Sequence, residues 1–320
     1  MHIRTTSGIS FEQKPGESLL KASIRQAAPI RHSCSAGRCG FCRVHVAEGE
    51  TNAFRQEQAL NDQEKQDGWV LACCRTAVND IVLDGGEVAR SDKPSIMRLP
   101  CTLSGLEPLA TNMVKVTLRL PLVVEFQFLP GQFLELISPT GIKRSYSIAS
   151  TDVREHQIEL HIELRPGGAM SDYLKHAKVG EVLHLVGPKG DFYLRDTTGK
   201  DLIFLANNTG MGPIKAMLGC LADRPAQMQP ASVRLVWCTP QERDAYLQPE
   251  DLPEGIDISY ITSSRGFSWS QLRQAVSRIE NTQVYAAGSM SMITRAKITL
   301  SELGLADDQF ISEPFLTATS

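Results

Sequence analysis

No run in the chain approaches the roughly 18 consecutive apolar residues of a membrane-spanning helix, so none of its 320 residues is expected to cross a bilayer in that way. There is no block of basic residues and no ladder of Lys and Arg interleaved with aromatics. The formal net charge is −3, which leaves a nucleic-acid partner without support. Residues 1–11 alternate polar and apolar side chains and lack the continuous apolar stretch of a signal peptide. Neither an internal repeat nor a low-complexity tract is present. At 42% apolar and 22% charged residues, the composition is that of an ordinary globular protein, long enough to bury two or three cores. These absences predict a soluble, cytoplasmic protein.

Thiols, by contrast, are concentrated. Eight cysteines stand at positions 34, 39, 42, 73, 74, 101, 220 and 238, and five of them fall between 34 and 74. In a reducing compartment such clustering points to metal ligation rather than disulfides. Cys34-Ser-Ala-Gly-Arg-Cys39-Gly-Phe-Cys42 is a C-x4-C-x2-C run with a further cysteine near position 73. That is the plant-type ferredoxin spacing for a [2Fe–2S] cluster held by four thiolates. Three ligands on one loop wrap the cluster edge, and Gly37 and Gly40 let backbone N–H groups approach sulfur, where they stabilise added negative charge. A zinc site more often pairs two C-x2-C knuckles, and only one short C-x2-C occurs here. A Rieske centre requires two histidine ligands, and no suitable Cys/His pairs are present.

Three segments of different character follow one another. Residues 1–92 carry a hairpin pattern at 2–5 and 8–11, then a helical pattern over 18–25 with Ser18 as N-cap and Leu20 and Ile24 four apart. The cysteine loop, strand patterns at 43–46 and 81–83, and turn residues through Pro94 complete that part. In residues 93–198 the alternation at 113–120 and 157–165, with Pro-Gly, Gly-Gly and Gly-Pro steps between runs, predicts a small antiparallel β-barrel. In residues 199–320 apolar runs at 202–206, 233–237, 258–261 and 284–287 alternate with helical patterns at 214–221 and 269–279, which predicts a parallel sheet covered by helices on both faces.

Two anion-binding patterns lie in the second segment. Arg144-Ser145-Tyr146-Ser147 follows a strand pattern, and Arg165-Pro166-Gly167-Gly168-Ala169-Met170-Ser171 opens a helical one. Arg144 can pair with a phosphate while Gly168 and Ser171 deliver backbone N–H groups and a hydroxyl to the same anion. In the third segment, Asn207-Asn208-Thr209-Gly210-Met211-Gly212-Pro213 lies between an apolar run and a helix. That context suits a dinucleotide pyrophosphate, with glycines for close backbone approach.

In this order, behind the cysteine loop, these motifs resemble the ferredoxin–NAD(P)H reductase superfamily over residues 100–320, and residues 1–90 resemble a plant-type ferredoxin domain. The resemblance implies a multidomain α+β and α/β protein: a β-grasp ferredoxin domain at 1–92, an FAD-binding β-barrel domain at 93–198 and an NAD(P)H-binding α/β domain at 199–320. Leu71-Ala72-Cys73 matches the family step that carries the last cluster ligand, which gives Cys34, Cys39, Cys42 and Cys73, with Cys74 as the alternative for the fourth place. Arg144 is implied to contact the flavin pyrophosphate, Tyr146 to pack on the flavin and ribityl chain, and Ser147 to lie near the flavin N5. Gly167, Gly168 and Ser171 complete the flavin set, and Thr209, Gly210, Gly212 and Pro213 receive NADH or NADPH. Ala287-Gly288-Ser289-Met290-Ser291-Met292 looks like the family's Cys-Gly-Pro-x-x-Met motif near the nicotinamide; Gly288 and Met292 remain, and Ala287 and Ser289 replace cysteine and proline. Phe315 is the candidate aromatic that covers the flavin. Arg265, and secondly Arg243, could meet a 2′-phosphate, although oxygenase reductases of this layout commonly use NADH. The implied route is hydride from NAD(P)H to FAD, then single electrons through the cluster to a redox partner, an oxygenase component. A reductase for a sugar-dehydrating iron–sulfur enzyme and a redox sensor without turnover share the layout.

Overall fold

Ile3 and Phe11 face each other across the opening hairpin, in which β1 (His2–Thr5) pairs antiparallel with β2 (Ser10–Glu12). Helix α1 (Leu19–Arg25) starts where the Ser18 hydroxyl accepts the Lys21 N–H at 3.1 Å, and it buries Leu19, Leu20, Ala22 and Ser23. After it come β3 (Arg43–Glu48), β4 (Thr51–Ala53), α2 (Asp62–Gln66), β5 (Trp69–Leu71), β6 (Arg75–Ala77) and β7 (Ile81–Asp84). The sheet runs β2-β1-β7-β3-β5, and its one parallel pair is β1–β7, a β-grasp arrangement with α1 packed on the core. Strands β4 and β6 pair separately. The computed structural model describes residues 1–26, 28, 30, 36–38, 40, 42–85, 94–254, 258–263, 266–276 and 278–315. The chain divides into two units, Met1–Asp92 and Lys93–Ser320.

In the second unit, β8 (Met97–Ala110), β9 (Met113–Arg119), β10 (Phe133–Ile137), β11 (Lys143–Ser147), β12 (Gln157–Glu163) and β13 (Val182–Lys189) form an antiparallel sheet in the order β11-β10-β13-β8-β9-β12. Its two edges meet where Ile148 bridges Leu160 and the Ala149 N–H donates to the Glu159 carbonyl at 2.8 Å, which closes the sheet into a barrel. Helix α3 (Ala169–His176) adds Met170 and Leu174 to the barrel core.

A parallel sheet follows: β14 (Asp201–Asn207), β15 (Ser232–Cys238), β16 (Ile258–Ser263), β17 (Thr282–Ser289) and β18 (Phe310–Phe315), in the order β16-β15-β14-β17-β18. Its helices are α4 (Met211–Ala222), α5 (Trp269–Ala275) and α6 (Met290–Ser301). Strand β14 is buried on both faces, as its continuous apolar run requires. Leu202, Phe204 and Ala206 pack with Ile214, Met217 and Leu218 of α4, while Ile203 and Leu205 pack with Ile293, Ala296 and Leu300 of α6.

Helix α4 lies between sheet and barrel, and glycine is what allows its contact with the sheet. A Cβ at Gly210 would collide with the Ala287 carbonyl of β17, and one at Gly212 would lie 3.4 Å from the Ala149 Cβ and 3.5 Å from the His161 Cβ. Gly210→Ala is expected to destabilise the protein by about 1–3 kcal/mol, the range for overpacking a filled site. The check is the urea unfolding midpoint, and an unchanged midpoint would show that the turn can move aside.

Candidate functional site

The thiols of the first unit converge on adjacent segments. Cys42 leads into β3, and Cys73 and Cys74 follow β5; the Ala72 N–H donates to the Cys42 carbonyl at 2.9 Å, tying the two segments together. All three cysteines are buried. The Cys73 and Cys74 sulfurs are 3.6 Å apart, and the Cys74 thiol also lies 3.7 Å from the Gln56 carbonyl. Gly37, at φ +78°, passes so close that a Cβ there would stand 2.7 Å from the Cys74 sulfur. Cys34 and Cys39 lie outside the described residues. Buried thiols on two hydrogen-bonded segments, with Gly37 backbone packed against the Cys74 sulfur, have the donor chemistry that fits an iron–sulfur cluster.

Glu57 fastens this region. Its buried carboxylate accepts the Leu71 N–H at 2.7 Å and the Arg75 guanidinium at 2.7 and 3.1 Å, and Arg75 also donates to the Thr51 carbonyl at 3.2 Å. The acid therefore holds the polar segment before α2 against the strand that leads to Cys73.

In the barrel, register places Arg144 opposite Leu136, Tyr146 opposite Leu134 and Ser147 opposite Phe133. The Arg144 guanidinium donates to the Lys143 carbonyl at 2.7 Å and meets no carboxylate among the described residues. Burial pushes the Tyr146 phenol up to about 12, against the pull of the Arg144 and Arg165 charges, so both cations stand close to that ring. Arg165, Gly167 and Gly168 form the turn that opens α3, with Gly167 at φ +70° and no side chain capping the helix N-terminus. The Ser171 hydroxyl oxygen accepts the Arg165 N–H at 2.9 Å, so it braces this turn while its proton stays available to an anion. An arginine beside an uncapped helix N-terminus suits the pyrophosphate of a flavin dinucleotide.

The dinucleotide pattern falls at the carboxyl ends of β14 and β17, where the strand order reverses, the usual ligand crevice of an open parallel sheet. Thr209 and Gly210 end the turn after β14, and Pro213 lies in the first turn of α4. Gly288 closes β17 against Asn207, and register sets the half-buried Phe315 beside Ser289. Met292, expected near the nicotinamide, instead points into the core between α6 and the sheet, where Leu205 and Ile293 also pack. Cys238 is likewise a small core residue, its thiol pushed up to about 12 by burial. Arg265 lies outside the described residues.

A further cluster joins barrel to sheet. His161 on β12 contacts Glu159 through Nε2 at 2.5 Å and the Tyr246 hydroxyl through Nδ1 at 2.7 Å, and the Lys215 ammonium reaches the same Glu159 oxygen at 2.7 Å. Burial alone would raise the Glu159 carboxyl, but the His161 hydrogen bond and the Lys215 charge hold it down at about 2. Burial pushes the His161 imidazole below its ordinary value despite Glu159. The consistent assignment is a neutral ring whose Nε2–H donates to a carboxylate and whose Nδ1 accepts from the tyrosine.

Comparison with known proteins follows this geometry. Residues 3–78 match the family described as 2Fe-2S iron-sulfur cluster binding domain, and residues 100–193 match the oxidoreductase FAD-binding domain. The chain is similar to CDP-6-deoxy-L-threo-D-glycero-4-hexulose-3-dehydrase reductase of Yersinia pestis, 29% identical with 97% of this chain and 96% of the relative covered. It is also similar to reductase component 1 of terephthalate 1,2-dioxygenase of Comamonas sp, 28% identical with 99% and 97% covered. The chain belongs to the ferredoxin-bearing FAD reductases. A solved cytochrome P450 reductase of Amycolatopsis shares the reductase's fold at a TM-score of 0.78 and 23% identity, over 99% of each chain. The reductase is an NAD(P)H oxidoreductase that transfers electrons through FAD and a [2Fe–2S] cluster. Among its described residues no helix is long and apolar enough to cross a membrane.

Glu57, Arg75, Arg165, Glu159, His161, Lys215 and Tyr246 carried no role in the sequence reading. Only Arg165 stands within a motif; the others meet through tertiary contacts that no short pattern encodes.

Two outcomes are expected. Glu57→Ala leaves the Leu71 N–H and the half-buried Arg75 without their acceptor and should cost about 1–3 kcal/mol, the usual penalty for an unsatisfied partner; unfolding midpoints and iron per chain measure it. Stability should also fall with acid, because the folded values of His161 and Glu159 both lie below their unfolded ones. The His161 contribution is whole above about 6.5 and erodes as pH drops below it; that of Glu159 is whole above about 4.5 and is lost as pH falls through about 2. His161→Gln should flatten the first slope in pH-dependent denaturation, while the charged groups around it, Lys115, Lys215 and Glu159, stay in place.

Proposed function

We propose that this reductase takes hydride from NADH and delivers electrons singly, in the cytoplasm, to the oxygenase component of a multicomponent mono- or dioxygenase. The observation that carries this reading is the end-to-end likeness to an oxygenase reductase, terephthalate 1,2-dioxygenase reductase component 1, over 99% of the chain. The phenol 2-monooxygenase reductase component of a Pseudomonas sp. adds support at 32% identity over 68% of the chain. The functional divisions in this reading are 1–92, 93–198 and 199–320.

When bound, FAD supplies conversion of a two-electron hydride into single electrons, and the cluster supplies one-electron transfer. The chain's own residues bind and orient. Cys34, Cys39, Cys42 and Cys73 are the cluster ligands in this reading. The Ala72–Cys42 hydrogen bond supports the pairing of the last two, and Cys74 is already engaged with the Gln56 carbonyl. Arg144 and the α3 N-terminus opened by Gly167 and Gly168 hold the flavin pyrophosphate, with Ser171 bracing that turn. Tyr146 packs on the flavin, Ser147 lies near the reacting nitrogen, and Phe315 covers the ring. Thr209, Gly210, Gly212 and Pro213 form one wall of the nucleotide crevice and Gly288 the other, with Met292 acting through the placement of α6. Arg243 stands between Glu242 and Asp244 in the turn after β15, an acidic setting that favours a free 2′-hydroxyl over a 2′-phosphate. Arg265 would be the contact for a 2′-phosphate.

A second reading, delivery to a sugar-dehydrating iron–sulfur enzyme, is favoured by the Yersinia relative, similar over 97% of this chain. The redox-sensor alternative gains nothing from relatives that turn over. In anaerobic stopped-flow, NADH is expected to bleach the flavin bands before the cluster bands, and NADPH to do so more slowly. The reduced protein is then mixed with a purified Rieske oxygenase component and, separately, with CDP-6-deoxy-L-threo-D-glycero-4-hexulose-3-dehydrase. Faster transfer to the oxygenase supports the first reading; faster transfer to the dehydrase replaces it with the second.

A further inference from the structure

Helix α4 and the turn before it are held from the barrel side by contacts that the motifs leave unexplained. Glu159 and His161 are two apart on β12 and so share a face of that strand. Three links run from this pair into the nucleotide half. Lys215 of α4 reaches Glu159 Oε1 at 2.7 Å. Gly212 rests against His161, with its missing Cβ 3.5 Å from the histidine Cβ. The Tyr246 hydroxyl bonds His161 Nδ1 at 2.7 Å, the Tyr246 ring meets Trp237 edge-on at 4.9 Å, and Trp237 Nε1–H donates to the Asn208 carbonyl at 3.0 Å. Asn208 stands immediately before Thr209-Gly210 and has φ +50°, the left-handed region that asparagine adopts more readily than other non-glycine residues.

We propose that Glu159, His161, Lys215 and Tyr246 are positioning residues that set the dinucleotide loop, residues 208–213, against the flavin barrel. The inference rests on reading that loop as the nucleotide site. All three links end on the loop or on the first two turns of α4. Apolar packing could hold the two halves together equally well. Directional hydrogen bonds centred on the buried His161 and the half-buried Glu159 do something narrower, because each favours one arrangement. A shift of the loop would leave the His161 ring and the Glu159 carboxylate with unmet partners. Hydride transfer is sensitive to displacements of about 1 Å, so a loop located from the flavin side would hold the donor at a set distance from its acceptor.

Tyr246→Phe removes one hydroxyl and keeps the ring against Trp237; Lys215→Met removes the charge and keeps the stem. Each full-length variant is titrated with NADH in anaerobic stopped-flow, which separates the nucleotide dissociation constant from the limiting rate of flavin reduction. Each is expected to raise the dissociation constant by about three- to tenfold, the loss that one directional hydrogen bond commands, with FAD content and cluster absorbance as in the wild type. A wild-type dissociation constant in both variants overturns the proposal, as does a rise that appears only together with loss of FAD or unfolding at the assay temperature. Thr209→Val in the same assay separates the two layers. If Thr209→Val weakens NADH binding and the other two do not, the positioning role alone falls. If none of the three weakens it, the loop assignment falls as well.

Discussion

The reductase half depends on how closely one stretch of backbone passes its neighbours. Where β14 turns into α4, the chain crosses the end of β17 at Gly210 and then lies on the barrel's closing strands at Gly212. No side chain fits at the first position, and at the second a Cβ would come into ordinary contact with Ala149 and His161. Because the helix is seated this tightly, its buried face can reach Phe204 and Trp237 while its first turns rest on Ala149 and His161. The barrel and the parallel sheet, which read as separate segments along the chain, accordingly form a single unit. Anything bound at the carboxyl edge of that sheet meets backbone N–H groups whose position is set from two directions at once.

Each unit carries a carboxylate drawn out of water, buried at Glu57 and half-buried at Glu159. Glu57 in the first unit and Glu159 in the second are each paired with a cation and tied by a further hydrogen bond. Isolated buried charges cost more than a fold can usually bear, whereas a paired and hydrogen-bonded one contributes little net stability and much directionality. Both acids sit where orientation matters more than energy. One holds the segment leading to Cys73 and the other the start of α4.

Legibility in the sequence followed the range of the interaction. The cysteine loop could be read because a cluster dictates ligand spacing, and β14 because burial on both faces leaves an apolar run. Helix α2 has no apolar periodicity to read because it buries no residue, and its Asn61–Glu64 capping box supplies what that periodicity does not. Strand β8 escaped notice because Pro100, Gly105 and Pro108 interrupt its alternation, with register shifts beside the last two. The Gly-x-Gly of the nucleotide loop was found for a reason only partly its own. The spacing was read as access for a pyrophosphate, yet Gly210 is already required by the Ala287 carbonyl, while Gly212 rests on Ala149 and His161 with room for a methyl group. Met292 was read from a motif and its side chain belongs to the core.

That double demand on Gly210 explains why the loop's supports stand on the barrel. A pyrophosphate loop needs small residues whether or not it touches another domain, and a helix packed on a neighbour needs them whether or not it binds a ligand. Gly210 carries both demands, so the loop cannot be re-sited there without breaking the packing on β17. Its fine position must then come from side chains around it. Lys215 and Tyr246 lie outside the glycine pattern and end on barrel groups, a carboxylate and an imidazole, while Trp237 carries the link on to the Asn208 carbonyl of the loop itself. Substitution at Gly210 or at the fully buried Trp237 would report on folding, while substitution at Lys215 and Tyr246 reports on placement.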